Sequence, residues 1–115
     1  MPHIIIEYAD DIISSQGAKL MADAIFVVAE ESGMFAPQNI KVRAVPITVY
    51  HLGLEGEGFI HVQCRIHAGR TTETKKQLTA SIIKALQDLS IEAAVMTAEV
   101  IDMDRESYSK HTAED

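Results

Sequence analysis

Pro2 is the residue with the clearest chemical potential, because it directly follows the first methionine. Methionine is commonly removed when a small residue follows it, and removal here would make Pro2 the first residue. Its nitrogen would then be a secondary amine held rigid by the pyrrolidine ring. An ordinary α-amino group has a pKa of roughly 7.7–8.0, and burial or neighbouring cations lower it. Such an amine would be partly neutral near neutral pH and could serve as a general base.

Three cations could work with such a base. Lys41 and Arg43 are two residues apart in a segment that favours a strand, so both side chains can leave the same face. Arg70 stands where a strand gives way to a helix, and the free N–H groups of a helix start add to the positive field there. Fixed cations stabilise the negative charge that develops when a proton is taken from a conjugated acid.

Each of these residues also has an interpretation without chemistry. If Met1 is retained, Pro2 has an ordinary amide nitrogen at the start of an edge strand. Lys41 and Arg43 can be solvated charges on a strand, and Arg70 can make a simple loop contact. From the residues alone, these alternatives remain open.

The histidines and the cysteine indicate no metal site. His61 and His67 share one strand face and His51 ends another strand, but no spacing typical of a metal site joins them. We interpret them as hydrogen-bonding residues of an interface or a core. Cys64 lies among apolar neighbours and is interpreted as a small buried hydrophobe. No metal and no cofactor is predicted.

Composition limits the classes of protein to which the chain can belong. It has 115 residues, 47% of them hydrophobic, which fits one domain over residues 1–115 with an aliphatic core. The net charge of −7 argues against nonspecific nucleic-acid binding, and no apolar stretch approaches the roughly 18 residues of a membrane span. A single cysteine and the lack of a signal-like segment favour the cytoplasm. A core this small favours an oligomer.

The elements that must position these residues form two copies of one plan. Hydrophobic periodicity divides the chain into strand–helix–strand halves at about residues 2–51 and 58–103, joined by a glycine-rich connection and followed by a polar tail over 104–115. The predicted strands cover residues 3–8, 40–51, 59–67 and 94–103. The predicted helices cover residues 18–32 and a second segment capped by Thr71 or Thr72.

The pattern also predicts how these elements face the core. The expected apolar face of the first helix consists of Leu20, Ala24, Val27 and Val28. The expected stripe of the second helix consists of Leu78, Ile82, Ala85, Leu86 and Leu89. Pro46, inside the second predicted strand, requires a bulge, a kink or an edge position. The connection at 52–58 is a candidate lining of the pocket, and the tail is expected to be loosely held.

This order of elements predicts an α+β fold. Each strand–helix–strand unit favours a parallel strand pair with its helix on one face, so two units give a four-stranded sheet with both helices on one side. On the other side, the third predicted strand presents His61, Gln63, Arg65 and His67. A polar sheet face in a small acidic chain favours contact with another subunit over contact with water.

Three segments resemble the 5-carboxymethyl-2-hydroxymuconate isomerase family of the tautomerase superfamily. They are residues 2–7, residues 33–37 leading into 40–43, and residues 66–71 with the Ala-Gly-Arg turn. The resemblance extends from Pro2 to about Met103. It implies a homotrimer with sheets wrapped around a central axis, and active sites near subunit boundaries. It also implies an anionic unsaturated dicarboxylic or tricarboxylic substrate, with the amino-terminal proline as the base.

Residue by residue, the resemblance assigns Pro2 and Arg70 as catalytic residues and Arg43 as a substrate-binding residue. Lys41 falls where the family usually has another arginine, and we assign it to substrate binding as well. Lysine keeps the charge but lacks the planar fork that binds a carboxylate through two hydrogen bonds. This departure affects the identity of the substrate more than the type of reaction.

Three functional hypotheses follow from the sequence. The first is a cytoplasmic trimeric tautomerase that moves a proton in an unsaturated acid during the breakdown of aromatic compounds. The second is an enzyme of the same fold with other chemistry, such as dehalogenation, hydration or decarboxylation, which would need a water-activating group such as Glu7 or a histidine. The third is a noncatalytic trimeric ligand-binding protein, which a retained Met1 would favour.

Overall fold

The computed structural model describes residues 1–113; the last two residues of the predicted tail, 114 and 115, lie outside the described part. Four strands form one sheet, and the bounds are β1 His3–Ala9, β2 Lys41–Ile47, β3 Phe59–His67 and β4 Val95–Met103. One α-helix connects the two strands of each half. The bounds are α1 Ser15–Glu31 in the first half and α2 Thr72–Gln87 in the second. No helix within this part of the chain is long and apolar enough to span a lipid bilayer.

The sheet confirms the doubled strand–helix–strand plan. Its strand order is β2-β1-β3-β4. The outer pairs β1–β2 and β3–β4 are parallel, and β1 and β3 meet antiparallel in the middle. Because of these strand directions, the beginnings of β1 and β2 and the ends of β3 and β4 all lie at the same end of the sheet. We call it the amino-terminal end of the sheet.

The core lies between the helices and one face of the sheet. Ile4 and Ile6 of β1 are fully inaccessible to solvent, and so is Val62 of β3. Burying an isoleucine or valine side chain contributes about 1.5–3 kcal/mol. The predicted stripe of α2 is confirmed at its centre, where Leu78, Ile82 and Leu86 are buried in the same cluster.

Cys64 of β3 and the α2 cap agree with the sequence-based interpretations. The Cys64 side chain is fully buried in the core, and its burial raises the pKa of the thiol to about 12. Thr71 caps α2, because its hydroxyl accepts a hydrogen bond from the backbone N–H of Thr74. The Cys64 thiol is therefore protonated at neutral pH and packs as an apolar side chain.

The predicted apolar face of α1 is wrong. Leu20 and Val27 are 55% and 45% exposed. The helix begins earlier than predicted, at Ser15, with Ser14 as its N-cap. It turns a different face inward, which consists of Ala18, Met21, Ile25 and Ala29. Apolar residues surround this helix almost completely, so a spacing of three and four fits more than one stripe, and packing against the sheet selects between them.

The second strand is shorter than predicted and lies at an edge. β2 ends at Ile47 instead of continuing to residue 51, and it pairs only with β1. Pro46 therefore occupies an edge strand, one of the three placements expected for it. Beyond the strand the chain bends toward the loop after β1, where the Tyr50 hydroxyl donates to Asp11 at 2.8 Å.

The glycine-rich connection and the C-terminal tail lie at opposite ends of the sheet. The glycine-rich connection leads from the end of β2 to the start of β3, so within the chain it does not line the amino-terminal end. Gly58 there has φ +86°, a conformation that favours glycine. The tail is not loosely held as far as Lys110: Asp104 caps a short 3-10 helix, Arg105–Ser107, and Tyr108 and Lys110 then contact the amino-terminal end.

Candidate active site

Four segments meet at the amino-terminal end of the sheet. In the strand register, His3 lies between Lys41 of β2 and Arg65 of β3. His67, at the end of β3, lies beside Met103 at the end of β4. The segment before β1, the entry to β2, the turn after β3 and the tail after β4 therefore surround one location.

The amino terminus is held tightly in this location. The Met1 amine donates to the carbonyl oxygen of Asn39 at 2.8 Å, and the Lys41 ammonium donates to the same oxygen at 3.1 Å. The Pro2 side chain is fully buried, and the Pro2 carbonyl accepts from the backbone N–H of Lys41 at 3.1 Å. With Met1 in place, the nitrogen of Pro2 is an amide and has no basic lone pair.

These surroundings favour a neutral amine. The pKa of the Met1 amine is lowered from 8.0 to about 5, first by burial and then by the hydrogen bond and charge of Lys41 and the charge of Lys110. An amine with this pKa is neutral at pH 7. An amine at this end of the chain is therefore a base that is ready to accept a proton.

A histidine–tyrosine cluster lies beside the amino terminus. The Nε2 atom of His3 and the Tyr108 hydroxyl are 2.9 Å apart. The ring of His67 meets the Tyr108 ring edge to face, with centroids 5.1 Å apart. The backbone N–H of His67 donates to the Met1 sulfur at 3.2 Å. Within residues 1–113, the Nδ1 atom of His67 is the one buried side-chain polar atom without a hydrogen-bond partner, and such atoms often mark functional places.

Arg43 completes this cluster from β2. Its guanidinium lies 3.3 Å from the Nδ1 atom of His3. The pKa of His3 is lowered, first by burial and then by the positive charges of Arg43 and Lys41. His3 is therefore neutral at neutral pH. By contrast, His61 lies further along the open face, hydrogen-bonded to Thr97 and Glu99.

Within residues 1–113, the cations at this end have no carboxylate partner. In the described part of the chain, the ion pairs of lysine or arginine are Lys19–Asp23, Lys75–Asp102 and Lys84–Asp88. None of these pairs includes the cations of the amino-terminal end, which are Lys41, Arg43, Arg65, Arg70, Arg105 and Lys110. Unpaired cations in a chain of net charge −7 create a local positive potential that attracts anions.

An open cleft adjoins the amine. It has a volume of about 410 Å³ and is lined by Gln38, Asn39, Lys41 and the tail residues from Lys110 to Ala113. A larger groove of about 510 Å³ lies at the start of α1, but its lining residues include Glu92 and no lysine or arginine. The cleft beside the amine is therefore the better fit for an anionic ligand. No cluster of three or more histidine, cysteine, aspartate or glutamate side chains in residues 1–113 is arranged to hold a metal ion.

The structure brings three of the four predicted site residues together and leaves the fourth, Arg70, apart from the amine. Pro2, Lys41 and Arg43 come together at the amino-terminal end. Arg70 lies at the same end of the sheet, where its guanidinium donates to the carbonyl of Met34 at 2.7 Å and stands 5.7 Å from the centre of the Phe35 ring. No hydrogen bond or ion pair joins Arg70 to residues 1–3 in the described part.

Sequence reasoning missed three residues of this location: Asn39, Tyr108 and Lys110. Lys110 donates to the side-chain oxygen of Asn39 at 3.0 Å, a contact across 71 residues. No periodicity in the tail indicates such a contact. The one available signal was Tyr108, an aromatic residue in a polar segment, because aromatic side chains seldom remain fully solvated.

A comparison with protein families gives one match over nearly the whole chain. The family model described as 5-carboxymethyl-2-hydroxymuconate isomerase matches residues 2–113. The match begins at Pro2 and extends through the tail that carries Tyr108 and Lys110. No curated protein matches the chain at the threshold applied.

Solved structures share the fold. A 5-carboxymethyl-2-hydroxymuconate isomerase from Deinococcus radiodurans R1 has a TM-score of 0.77 at 22% identity, over 97% of this chain and 90% of that one. A fused 4-OT symmetric trimer has a TM-score of 0.76 at 19% identity, over 95% and 93%. A malonate semialdehyde decarboxylase, FG41, inhibited by 3-bromopropiolate, has a TM-score of 0.74 at 18% identity, over 96% and 90%. At these identities, the likeness shows the fold alone.

Proposed function

The chain belongs to the 5-carboxymethyl-2-hydroxymuconate isomerase family and is an isomerase of the tautomerase type, and from that premise we propose its substrate and its base. The substrate is an unsaturated dicarboxylic or tricarboxylic acid of the 5-carboxymethyl-2-hydroxymuconate type. The base is the amine of Pro2 after Met1 has been removed. The reaction belongs to the breakdown of aromatic compounds in the cytoplasm, and the working form is a homotrimer.

One observation carries this proposal: an amine with a lowered pKa lies among cations, and the salt bridges of the described part of the chain do not involve these cations. The Met1 amine owes its low pKa to burial and to Lys41 and Lys110. A free Pro2 amine would lie one residue away, beside the same two lysines. The positive charges of these lysines would lower the pKa of that amine and so favour its neutral form, while the cations would attract the carboxylates of an acidic substrate.

The proposed reaction needs one base and fixed positive charge. The neutral Pro2 amine takes a proton from one atom of the conjugated system, and negative charge spreads onto the substrate oxygens. Lys41 and Arg43 bind the carboxylates, and Lys110 lines the same cleft. The protonated amine then returns the proton at another atom, so protons and electrons balance without a further reactant.

Arg70 is the second proposed catalytic residue. A guanidinium has five N–H donors, and the bond to the Met34 carbonyl engages one nitrogen of the group. The Arg70 side chain is exposed at the amino-terminal end, so its remaining donors are available to a substrate oxygen. Stabilising that oxygen as it gains charge is the role that we assign to it.

The experiment that tests the base is made on protein expressed without a tag. The intact mass first establishes that one methionine residue is missing, and the isomerisation of 5-carboxymethyl-2-hydroxymuconate is then followed spectroscopically. Pro2→Ala replaces the rigid secondary amine by a primary one, and we expect kcat to fall by about 10²-fold or more. Pro37→Ala, at the exposed start of the short 3-10 helix Pro37–Asn39, is the matched control.

Two results would contradict the proposal. Retention of Met1 in every molecule, including protein from the native host, would leave no amine at Pro2. Equal activity of the Pro2→Ala variant and the parent would show that the proline ring is not needed.

The contacts of Met1 favour a second candidate function, a noncatalytic ligand-binding protein. The Met1 amine donates to the carbonyl oxygen of Asn39, and the Met1 sulfur accepts from the backbone N–H of His67. A chain that keeps Met1 would use the cationic cleft for binding alone. The intact mass separates the two candidates.

Glu7, the proposed water-activating group of a hydratase or decarboxylase, pairs in register with His61, away from the amino terminus.

A further inference from the structure

We propose that Tyr108 donates a hydrogen bond to the substrate oxygen that gains negative charge, and that His3 holds its hydroxyl in position for this task. The inference deepens the proposed function and rests on it. Tyr108 belongs to the segment after β4, so the proposal makes the C-terminal segment a wall of the active site. Tyr108 keeps its own proton throughout, because Pro2 carries the proton that moves.

The direction of the hydrogen bonds around His3 follows from the chemistry of its partners. The Arg43 guanidinium can only donate, so the Nδ1 atom of His3, 3.3 Å away, must accept. A neutral imidazole that accepts at Nδ1 carries its proton at Nε2. The Nε2–H group then donates to the oxygen of Tyr108 at 2.9 Å. Since that oxygen accepts from His3, its own O–H is free to donate elsewhere.

Several contacts hold Tyr108 in a single orientation. Its ring meets both histidines edge to face, with centroids 5.9 Å from His3 and 5.1 Å from His67. On one side, Arg105 donates to the carbonyl of Ala68 at 3.3 Å. On the other side, Lys110 donates to Asn39 at 3.0 Å. A donor fixed before the substrate arrives needs no reorganisation during the reaction, which is why such donors are effective.

The location of Tyr108 suits a substrate that reaches Pro2. His3, which bonds the hydroxyl, is the next residue after Pro2. His67 contacts both the Tyr108 ring and the Met1 sulfur. Removal of Met1 therefore frees the backbone N–H of His67, the residue against which this ring packs, in the same step that creates the base.

The first test compares two tyrosine variants of protein whose intact mass lacks Met1. Tyr108→Phe keeps the ring and its packing but removes the hydroxyl, and we expect kcat to fall by about 10²-fold while KM changes little. Tyr50→Phe is the matched control, since its hydroxyl bonds to Asp11 at the opposite end of β1, and we expect parental activity. Thermal unfolding of each variant establishes that the fold is kept.

The second test examines His3 as a positioning residue. We expect the ¹⁵N shifts of its ring at neutral pH to report a proton on Nε2, and His3→Gln, whose amide can donate, to recover part of the kcat lost in His3→Ala. A proton on Nδ1 would overturn the proposed direction of the hydrogen bonds. An active parent whose Tyr108→Phe variant has unchanged kcat would overturn this inference alone. A parent that lacks Met1 and is inactive on hydroxymuconate-type acids would overturn the proposed function together with it.

Discussion

Lys41 acts on the amino terminus both through its charge and through the Asn39 carbonyl that it shares with the amine. Both effects favour the neutral amine, since protonation would place a second cation beside the first. In the proposed enzyme, we therefore expect this lysine to affect the pKa of the base as well as the binding of the substrate. An arginine at this position would have the same electrostatic effect and would add the planar fork that lysine lacks.

Lys41→Gln should move the pH profile of the enzyme. In protein lacking Met1, kcat/KM should rise with pH through the pKa of the Pro2 amine, which we expect below the ordinary α-amino range of roughly 7.7–8.0. Removing the cation raises this pKa, so the acidic limb should move to higher pH. Lys76→Gln, on an exposed part of α2, is the control. An acidic limb at the same pH in both variants would mean that Lys41 does not tune the base.

Arg70→Ala tests the residue that the structure leaves apart from the amine. We expect kcat/KM to fall by about 10²-fold with little change in thermal stability, because the side chain is exposed and bonds to one carbonyl. Arg70→Lys should recover only part of the activity, since the charge remains and the fork does not. A loss of stability with normal kcat/KM would instead identify Arg70 as a structural link to Met34 and Phe35.

At the scale of elements, the buried face of a strand could be predicted from the sequence, whereas the buried face of α1 could not. The alternation of β3 fixed both its bounds, Phe59–His67, and its buried face, because a period of two allows one inward set. The parallel pairing of β1 and β2, which the sequence predicted, brings Lys41 and Arg43 beside the start of β1. The apolar face of α1 did not follow from its spacing, and the contacts of Tyr108 join residues more than one hundred positions apart, which no local pattern encodes.

The corrected face of α1 can be tested with two alanine variants. Ile25 is fully buried, and Ile25→Ala should lower the free energy of unfolding by about 2–5 kcal/mol through lost burial and a cavity. Leu20 is 55% exposed, and Leu20→Ala should change the free energy by less than about 0.5 kcal/mol. Urea unfolding at matched protein concentrations gives both values. A larger loss for Leu20→Ala than for Ile25→Ala would restore the face predicted from the sequence.

At the scale of the whole molecule, β2 leaves an edge that a single chain does not cover. It pairs with β1 alone, and Val45 on the strand and Val49 just beyond it are 37% and 90% exposed. Exposed strand edges with apolar side chains tend to pair with another chain. The open sheet face adds the hydrogen-bonding residues His61 and Gln63 to the surface available for contact.

We therefore expect a homotrimer in solution, with a mass about three times the chain mass of 12.6 kDa. Val45→Lys places a charge at the edge of the sheet and should weaken the assembly in sedimentation experiments. Val27→Lys, on the exposed side of α1, should not. A monomer at micromolar concentration, or dissociation by the α1 variant alone, would count against assembly through the sheet edge.

The mid-chain position of β3 decides how many amine bases of the proposed kind the two halves can supply. The two halves repeat one plan, but their first strands begin at opposite ends of the sheet. β1 begins at a chain terminus, whereas β3 follows Gly58 in mid-chain, where the backbone has only amide nitrogens. The proposed amine base therefore has no counterpart in the second strand–helix–strand half. A reagent that alkylates the base should saturate at one equivalent per polypeptide, and no substitution at the start of β3 can create a second site while the chain remains unbroken there.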